Sequence, residues 1–495
     1  MKKLLIVITS LGMMVTGCRK IEVDGGGTTS TTPPVVGVEN TILEGRIITN
    51  LTLKAAYTYK LRGLVYVTNG AILTIEPGTK IVGENGKNGA LIITRSSKII
   101  ADGTLDKPIV FTSEAATPQR GDWAGLVILG NAPTNSSFNG ANGIGEIEGG
   151  INNSDGLGLY GLGISSNVAD NSGTLRYVRI EYAGYAFLPD KEINGLTFGG
   201  VGNQTIVDNV QVSYANDDSF EWFGGTVNCK HLISFRTLDD DFDTDNGFNG
   251  KVQFGISLRD SSVADISKSE AFESDNDANG SDIKTIVTTI TGSNGVTIAP
   301  VRTSAVFSNM TLIGPKATAT SIGSSLFLCG AQLRRNTEQS IFNSVFLGWN
   351  GGSVNGLLID ASKGIPTDNN LSPAGGLNFQ NNIIAGPTAN SISYAASSTT
   401  PTGATKTSIT AWVNTTAYNN SLLPDNNDVG LGAPFNYSSP DFNPSSATSA
   451  AANGASFTDP KLKTSSNSKA DFTSVTYKGA CAVGDTWWKS WTSFK

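Results

Sequence analysis

The sequence contains one histidine, four cysteines and little charge, and these shortages exclude several classes of protein. With His231 alone, zinc sites built from several histidines are impossible, and any Ser-His-Asp triad would have to use this residue. The 35 Lys and Arg residues are outnumbered by 42 Asp and Glu residues, and the net charge of −7 argues against nucleic acid as a partner. Hydrophobic residues make up 39% of the chain, which is too many for a chain disordered throughout.

The sequence has one marked apolar run, and it lies near the start. Lys2 and Lys3 precede this run, which ends in a V-T-G-C sequence at Cys18. The run is shorter than the roughly 18 residues needed to span a bilayer, and its basic start is typical of a secretory signal. Its end resembles a lipobox, so residues 1–17 are predicted to be a lipoprotein signal peptide and Cys18 the lipidated residue. An ordinary secretory signal with a chance cysteine is the alternative.

Residues 18–37 are rich in Gly, Thr and Pro, a composition that predicts a flexible tether rather than a packed core. A lysine followed by acidic residues just after Cys18 resembles the surface-export signal of Bacteroidota lipoproteins. We therefore expect a protein anchored by its lipid in the outer membrane and exposed at the cell surface. Its folded body is predicted to be residues 38–495.

Three cysteines remain in the body of the chain, namely Cys229, Cys329 and Cys481. Their number is odd, and they form no CxxC pair that would indicate a redox or metal motif. Export would permit one disulfide with a free thiol. Three buried, unpaired thiols are the alternative.

The body of the chain consists of short β-branched runs broken by Gly, Asn and Asp. An asparagine, an apolar strand and a glycine five residues later recur at 309–314, 343–348 and 381–386, and looser copies begin at Tyr177, Asn209 and His231. The steps range from 22 residues, Asn209 to His231, to 38 residues, Asn343 to Asn381, apart from one longer gap. Periods of this size are typical of solenoids. They predict an all-β fold, a right-handed parallel β-helix with loop insertions. A β-sandwich array is the alternative, but hairpin signals are few.

Two patterns in the last third of the chain predict local features. Ile409, Trp412 and Val413 are spaced i, i+3 and i+4, which predicts one short helix. Residues 487–494 are dense in aromatics and predict a cap over the open end of the solenoid. An aromatic platform for a sugar is the alternative for this segment.

Acidic residues are concentrated in three groups. The groups are Asp217, Asp218 and Glu221; Asp239, Asp240, Asp241, Asp243 and Asp245; and Glu273, Asp275 and Asp277. Asp218 and Asp240 are 22 residues apart, about one coil, so stacked coils would bring the groups to one face. Closely spaced carboxylates repel one another unless they bind a cation or a proton, and calcium prefers several such oxygen ligands.

These groups predict calcium as a cofactor. The predicted ligands are Asp217, Asp218, Asp240, Asp241, Asp243, Asp245, Asp275 and Asp277. The run from Asp275 to Gly280 has the DxDxNG pattern of a calcium loop but lacks the closing glutamate of an EF-hand, so ligands would come from adjacent coils. Ordinary turn chemistry of Asp and Asn is the alternative.

Several phrases together resemble one family. They are LVYV at 64–67, LTIEPGT at 73–79, GDWAGLVILG at 121–130, NDDSFEWFGG at 216–225 and LDDDFDTD at 238–245. They resemble Bacteroidota outer-membrane lipoproteins with a predicted parallel β-helix, over nearly the whole mature chain. The resemblance implies the fold and the location, and it implies no established activity.

Two classes of β-helix enzyme offer templates for the acidic groups. Pectate-type lyases use calcium on stacked aspartates with Arg or Lys as the base, a role open here to Lys230, Arg236, Lys251 or Arg259. Polygalacturonase-type hydrolases resemble the chain at 216–218 and 240–241, but their His-Gly and Arg-x-Lys motifs are missing in the following coils. The candidate catalytic residues are Asp218, Asp240, Asp241 and Lys251.

Trp222 and Phe223 follow the first acidic group and are the candidate ligand-binding residues, which would stack on a sugar ring; stacking inside the coil is the alternative and the commoner role of such rings. Because no complete catalytic set can be written down, the favoured prediction is a non-catalytic surface module that binds a glycan or another protein and is stabilised by calcium. The first alternative is a calcium-dependent polysaccharide lyase or a glycoside hydrolase acting at Asp217–Asp245. The second is an accessory subunit of an outer-membrane transport or secretion complex.

Overall fold

The structure is a computed structural model. It describes residues 41–186, 192–281, 290–291, 297–298, 301–318, 320–349, 354–386, 391–463 and 472–495. The predicted signal peptide, Cys18 and the whole of the predicted tether lie outside the described residues. Within the described part of the chain, no helix combines the length and apolar character needed to cross a membrane.

Short strands stack in parallel from coil to coil and form three sheets, which confirms the parallel β-helix. Sheet 1 contains the second half of Ile42–Ile47 (its first half pairs in sheet 3), the second half of Thr58–Val67, Ala90–Ile93, Gly125–Leu129, Leu196–Gly199, Phe220–Phe223, Phe242–Asp245, Ser269–Ser274, Phe327–Arg334, Leu357–Asp360 and Ile392–Ala395. Sheet 2 contains Leu51–Leu53, Ile72–Ile75, Lys98–Asp102, the first halves of Gly173–Glu181, Ile206–Ser213 and Asn228–Phe235, and Lys251–Gln253, Val306–Ser308, Ser340–Phe342 and Phe379–Gln380. Sheet 3 contains the first half of Thr58–Val67, Lys80–Gly83, Ile109–Ser113, the second halves of Gly173–Glu181, Ile206–Ser213 and Asn228–Phe235, and Ile256–Leu258, Thr311–Ile313, Val345–Leu347, Ile383–Ala385 and Ser421–Leu423.

Smaller elements lie in the loops between these strands. The antiparallel pairs are Ser137–Phe138 with Ala141–Asn142, Gly145–Glu146 with Leu159–Tyr160, Ile290–Thr291 with Thr297–Ile298, and Leu431–Ala433 with Asp441–Pro444. Short 3-10 helices span Gly163–Ser165, Thr367–Asn370, Thr416–Tyr418, Asn426–Val429, Ala450–Ala452 and Pro460–Leu462. These elements fit the predicted loop insertions between coils of a solenoid.

The core is built from like side chains stacked along the axis. Phe220, Phe242 and Phe272 occupy the same register in successive strands of sheet 1 and have no exposed surface. Their ring centroids are 5.6 and 5.5 Å apart. Such a column removes aromatic surface from water and fixes the register of each coil on the last.

The repeated asparagines form the corner between sheets 2 and 3. Asn209, Asn309, Asn343 and Asn381 all have left-handed backbone, with φ between 52° and 58°. Asparagine tolerates this conformation better than most residues because its short polar side chain can bond locally. The repeat in the sequence therefore marks the point at which each coil turns.

The aromatic C-terminal residues cover the side of the solenoid rather than its end. We call residues 429–463 and 472–495 the flank segment, and its Trp488 and Trp491 pack with the outer side chains of sheet 3, such as Ile233 and Ile313. Trp491 meets Tyr177 edge-on at 5.8 Å. The predicted end cap is thus misplaced, because sheet 3 is apolar on its outer face as well and needs this cover.

The predicted short helix is present and lies at the end of the solenoid. It spans Lys406–Val413, and Thr405 caps its first turn by accepting a hydrogen bond from the Ser408 amide. Ile409 and Val413 are buried against the same apolar core as the coils. The helix therefore covers the core where the coils stop, which is the role predicted for the aromatic segment.

Candidate functional site

Seven carboxylates gather on the outside of sheet 1 and at the turns that lead into its strands. We call this group the acidic face; its members are Asp217, Asp218, Glu221, Asp239, Asp240, Asp243 and Glu270. The parallel register places Glu221 directly opposite Asp243, and Asp243 opposite Glu273 of the next coil. Stacking of coils thus brings together residues that are far apart in the sequence.

Oxygen atoms of these carboxylates come close enough to share one cation. They form three groups whose atoms lie within 4.8 Å of one another: Asp217, Asp218 and Asp239; Asp218, Glu221 and Asp243; and Asp239, Asp240 and Glu270. Asp218 belongs to two of the groups, and so does Asp239. The acidic face is therefore one continuous string of carboxylates across three coils.

Asp218 and Asp240 each use one carboxylate oxygen to accept a hydrogen bond from the next coil. The Asp218 carboxylate accepts a hydrogen bond from the Asp240 amide at 2.8 Å, and the Asp240 carboxylate accepts one from the Glu270 amide at 2.6 Å. These bonds repeat the ladder pattern expected of Asp in turns. They account for one oxygen atom in each aspartate, so turn chemistry explains some of the acidic residues but not all of their oxygens.

Several buried oxygens of the acidic face are left without a partner. Oδ1 of Asp239, Oδ1 of Asp243 and Oε2 of Glu270 have no hydrogen-bond partner among the described residues. The Glu270 side chain is nearly inaccessible, since the residue is 1% exposed. Burying such an oxygen is costly unless a proton or a cation compensates it.

Burial and mutual repulsion raise the pKa values across the acidic face. Burial, followed by the charges of Glu270 and Asp265, raises the pKa of Asp239 to about 8. Burial also raises the pKa of Asp243 to about 6. The pKa values of Asp217, Asp218, Glu221 and Asp240 lie well above their usual range, first from burial and then from neighbouring carboxylates.

The donor set fits calcium. All seven side chains offer hard carboxylate oxygens, which calcium prefers over nitrogen or sulfur ligands. The unpartnered oxygens of Asp239, Asp243 and Glu270 are the atoms that a cation would use. Calcium binding would replace the protons that the raised pKa values indicate.

The structure separates Asp241 from the predicted ligand set. Its Oδ1 lies 3.3 Å from Nη1 of Arg259, and neither side chain has exposed surface. Asp240 differs from Asp241, because a carboxylate oxygen of Asp240 lies within 4.8 Å of oxygens of Asp239 and Glu270. Asp241 is thus one half of a buried ion pair and lies outside the acidic face. This position removes it from the predicted calcium ligands and from the candidate catalytic residues.

Arginines pair with two of the three residues in the third sequence group, Glu273 and Asp275. Asp275 pairs with Arg335 and with Arg334, whose Nε lies 2.9 Å from Oδ1. Asp277 accepts hydrogen bonds from the amides of Asn279 and Ser281, which fold its own loop. These contacts replace the calcium loop that the DxDxNG pattern predicts.

Asp245 lies one step along the strand from the acidic face. It accepts a hydrogen bond from the Asn246 amide at 2.6 Å. Burial and the Asp243 charge raise its pKa to about 8. Within the described residues it belongs to none of the three close groups.

Of the four proposed bases, two lie on sheet 2 and two are held in ion pairs, and Arg259 also donates to the backbone carbonyl of Asp239. Lys251 belongs to sheet 2, and its Nζ lies 5.6 Å from the ring centroid of Phe472 in the flank segment. Lys230, also in sheet 2, donates to Thr473 of the same segment. Arg236 pairs with Asp260 and Arg259 with Asp241. Lys251 is therefore misplaced as a catalytic candidate.

The predicted sugar-stacking rings are both buried. Trp222 has no exposed surface and stacks inside the coil on Phe198 at 5.7 Å and Phe248 at 5.4 Å. Phe223 is 3% exposed and packs against Tyr160, 6.2 Å away. These positions correct the prediction of ligand stacking in favour of the alternative, stacking inside the coil.

The lone histidine and the cysteines occupy structural positions. His231 sits at the corner between sheets 2 and 3, with Nδ1 2.7 Å from Asp208 and its ring against Phe254 and Trp487. Cys229, Cys329 and Cys481 are all buried, and none forms a disulfide among the described residues. The alternative of three unpaired thiols is the one observed.

Sequence reasoning missed Glu270 and Arg334. Glu270 lies 30 residues after Asp240, where an insertion lengthens the coil, so the 22-residue step does not reach it. Arg334 lies in the next strand of sheet 1 and contacts both Glu273 and Asp275. Burial, followed by the charge of Arg335, lowers its pKa. Strand-by-strand alignment of sheet 1 would have found both residues.

Comparisons with known proteins give one match. A family model described as a pectate-lyase-like beta helix domain matches residues 45–421. The match spans nearly all of the coils and the whole acidic face, and it ends before the flank segment. No curated protein and no solved structure matches the chain.

Proposed function

Because the chain belongs to the pectate-lyase-like β-helix family, we propose that it binds an acidic polysaccharide through calcium held on the acidic face. The observation that carries this proposal is the continuous string of seven carboxylates with buried, unpartnered oxygens. A lipid on Cys18 would hold this module in the outer membrane, at the cell surface. The partners would then be the membrane on one side and a glycan on the other.

Calcium supplies the link between two negatively charged partners. The acidic face alone would repel a polyuronate, since both carry carboxylates. Calcium takes about six to eight oxygen ligands, and each of the three close groups brings together one oxygen from each of its three carboxylates. Carboxylate oxygens of the sugar complete such a set, which makes binding depend on the cation.

The placement of the basic residues favours binding over catalysis. A lyase needs a base beside the bound sugar, and a pair of carboxylates with a water between them is needed for inverting hydrolysis. Lys230 and Lys251 lie on sheet 2, while Arg236 and Arg259 are held in ion pairs. The carboxylates themselves are packed together as a string, which suits a cation better than a catalytic water.

Arg334 supports a polysaccharide lyase as the second candidate. It lies on sheet 1 beside Glu273, and its pKa is lowered, as a base requires. In a β-elimination the base removes the proton on the carbon next to the uronate carboxylate. That electron pair forms a carbon–carbon double bond, and the glycosidic oxygen leaves with its own pair and takes up a proton. The ion pairs with Glu273 and Asp275 keep Arg334 protonated, so binding remains the first proposal.

Thermal unfolding of the chain from Val38, in calcium and in chelator, tests the metal. A ligand that binds only the folded state stabilises it by about 2.7 kcal/mol at 100 times its Kd. We expect a calcium-dependent rise in Tm that is lost in Asp218→Asn/Asp239→Asn. Asp106→Asn, at an exposed aspartate, is the control for a lost charge and should keep the rise. A rise that survives the double variant, or no rise at all, contradicts the proposal.

Incubation with polygalacturonate separates the two candidates. Binding that requires calcium, without formation of an unsaturated product, supports the binding module. Ultraviolet absorbance from an unsaturated product, lost in Arg334→Gln, would instead establish the lyase. A neutral glucan serves as the control ligand and should not bind in either case.

A further inference from the structure

A second cluster of unusual residues lies at the corner where coils pass from sheet 3 into sheet 1. Tyr182, Tyr214 and Arg236 occupy equivalent positions in three successive coils, and all have left-handed backbone, with φ of 62°, 57° and 56°. This conformation is costly for bulky side chains and persists only where surrounding contacts enforce it. As at the corner between sheets 2 and 3, left-handed residues turn each coil here, and strained backbone of this kind is also found at binding sites.

The side chains at this corner form a stack of rings and guanidinium groups. The rings of Tyr182 and Tyr214 are parallel, 4° apart, with centroids separated by 5.0 Å. The guanidinium carbon of Arg120 lies 5.2 Å from the Tyr214 centroid, and that of Arg236 lies 5.5 Å from it. Both arginines and both tyrosines are partly exposed, so the stack can be reached from solvent.

The charges in this stack do not balance. Arg236 is paired with Asp260, whose Oδ2 lies 2.8 Å from Nε. Nη1 of Arg120 is buried and has no acceptor among the described residues. Burial lowers the pKa of Arg120 to about 10, and the nearby charges of Arg236 and Arg259 oppose the favourable effect of Asp260. Asp260 is thus the carboxylate that acts on both guanidinium groups, and the carbonyl oxygen of Lys495 accepts from the Tyr214 hydroxyl. The buried Nη1 of Arg120 is left without an acceptor in the described part of the chain, which is costly.

The corner and the acidic face belong to the same turns. Tyr214 precedes Asp217 by three residues, and Arg236 precedes Asp239 by three residues. Arg259 ties them together, because its Nη2 donates to the carbonyl of Leu238 at 3.1 Å while its charge acts on Arg120. Three residues span at most about 10 Å, so the corner lies within that reach of the acidic face and an extended ligand could contact both.

We propose that Arg120 and Arg236, stacked on Tyr214, form a second subsite that holds a carboxylate group of the same acidic polysaccharide. The subsite rests on the proposed function, because the calcium site places the polymer beside it. A planar guanidinium matches a carboxylate in shape and charge, and its hydrogen bonds to an anion are stronger than those between neutral groups. Neighbouring uronates of one chain would thus be held in two ways, one through the cation and one directly by arginine.

Affinity for polygalacturonate in calcium tests the subsite with Arg120→Gln and Arg120→Lys. We expect Arg120→Gln to lower the affinity about tenfold or more, since a bond to a charged group is lost. Arg120→Lys keeps the charge but loses the planar set of guanidinium N–H donors. Its affinity for polygalacturonate should therefore lie between that of Arg120→Gln and that of the unmodified protein. Arg176→Gln removes an arginine of sheet 2 that pairs with Asp102, and it should change the affinity little.

The calcium-dependent rise in Tm separates failure of the subsite from failure of the proposed function. Arg120→Gln should retain this rise, which also shows that the variant is folded. If the unmodified protein binds the polymer and Arg120→Gln binds it equally well, the subsite is overturned and the proposed function stands. If the unmodified protein does not bind the polymer in calcium, the proposed function and the subsite both fail. Competition by inorganic sulfate as strong as that by galacturonate oligomers would indicate a site for any small anion and would overturn the polysaccharide assignment.

Discussion

Asp239 is one residue of the acidic face that makes the stability of the folded chain depend on pH. Its pKa in the folded chain is about 8, against a value near 3.9 for an unperturbed aspartate. Between these values the folded state holds a proton that the unfolded state has released. Stability therefore falls as pH rises through this window, because the folded state binds more protons than the unfolded state.

We predict that in chelator the Tm decreases between about pH 5 and pH 8. Asp243, with a pKa of about 6, and Asp239 and Asp245, with pKa values of about 8, lose their protons within this range. Calcium should reduce the decrease, since it replaces the protons as the compensating charge. Scanning calorimetry over a pH series with and without calcium measures both effects. A Tm that rises with pH in chelator would contradict the assignment.

Single residues are also where the sequence is least informative. It predicts that the acidic groups converge, and Asp217, Asp218, Asp240 and Asp243 do so. It cannot separate Asp240 from Asp241, because the direction of each side chain depends on where the strand begins. Asp241 finds its partner, Arg259, one coil away, and nothing in the local sequence marks that pairing.

At the scale of elements, the flank segment and the corner asparagines depend on each other. Nδ2 of Asn343 donates to the carbonyl of Ser456 at 3.0 Å, and Nδ2 of Asn309 donates to that of Tyr477 at 2.8 Å. Farther along, Gln211 bonds both the amide and the carbonyl of Ser493. The segment thus runs along the coils, contacts one corner after another, and buries the apolar outer face of sheet 3.

We predict that Trp491→Ala releases the end of the flank segment without unfolding the coils. Trp491 has no exposed surface, and truncating a buried tryptophan costs about 3–5 kcal/mol. Limited proteolysis should show earlier cleavage within residues 472–495, while the stacked strands stay protected. Val483→Ala, at a side chain that is 51% exposed, is the control and should behave like the unmodified protein. Equal loss of protection from proteolysis in every strand would contradict the prediction that the flank segment is released separately from the coils.

The elements were predicted where the repeat is regular. The helix at Lys406–Val413 follows directly from local spacing. The position of the flank segment does not, because aromatic content indicates that a surface must be covered but not which surface. The Ser- and Asn-rich stretch around 436–456 reads as loop in the sequence, yet it carries Phe442 into the cluster beneath the segment.

At the scale of the whole molecule, each coil contacts mainly its neighbours, so stability is a sum of local terms. The acidic face spans three consecutive coils, with strands Phe220–Phe223, Phe242–Asp245 and Ser269–Ser274. A cation there joins these coils and has no direct contact with the others. Its effect on the solenoid should therefore be local.

We predict that calcium slows amide hydrogen exchange in these three strands and leaves Ile72–Ile75 of an early coil unchanged. Local opening of a linear array costs only the interfaces that break, so protection rises where the ion adds an interface. Exchange followed by mass spectrometry resolves this difference along the chain. Slowing of equal size in all coils would instead indicate one cooperative unit.

The position of the flank segment also sets an order of events in the making of the protein. Synthesis proceeds from the N-terminal end, so the strands of sheet 3 are made before the flank segment that covers them. During that interval Ile233, Ile256 and Ile313 present a continuous apolar stripe to their surroundings. A chain of this design has to be escorted or kept unfolded until its closing segment arrives, and a truncated chain would be expected to aggregate along that stripe.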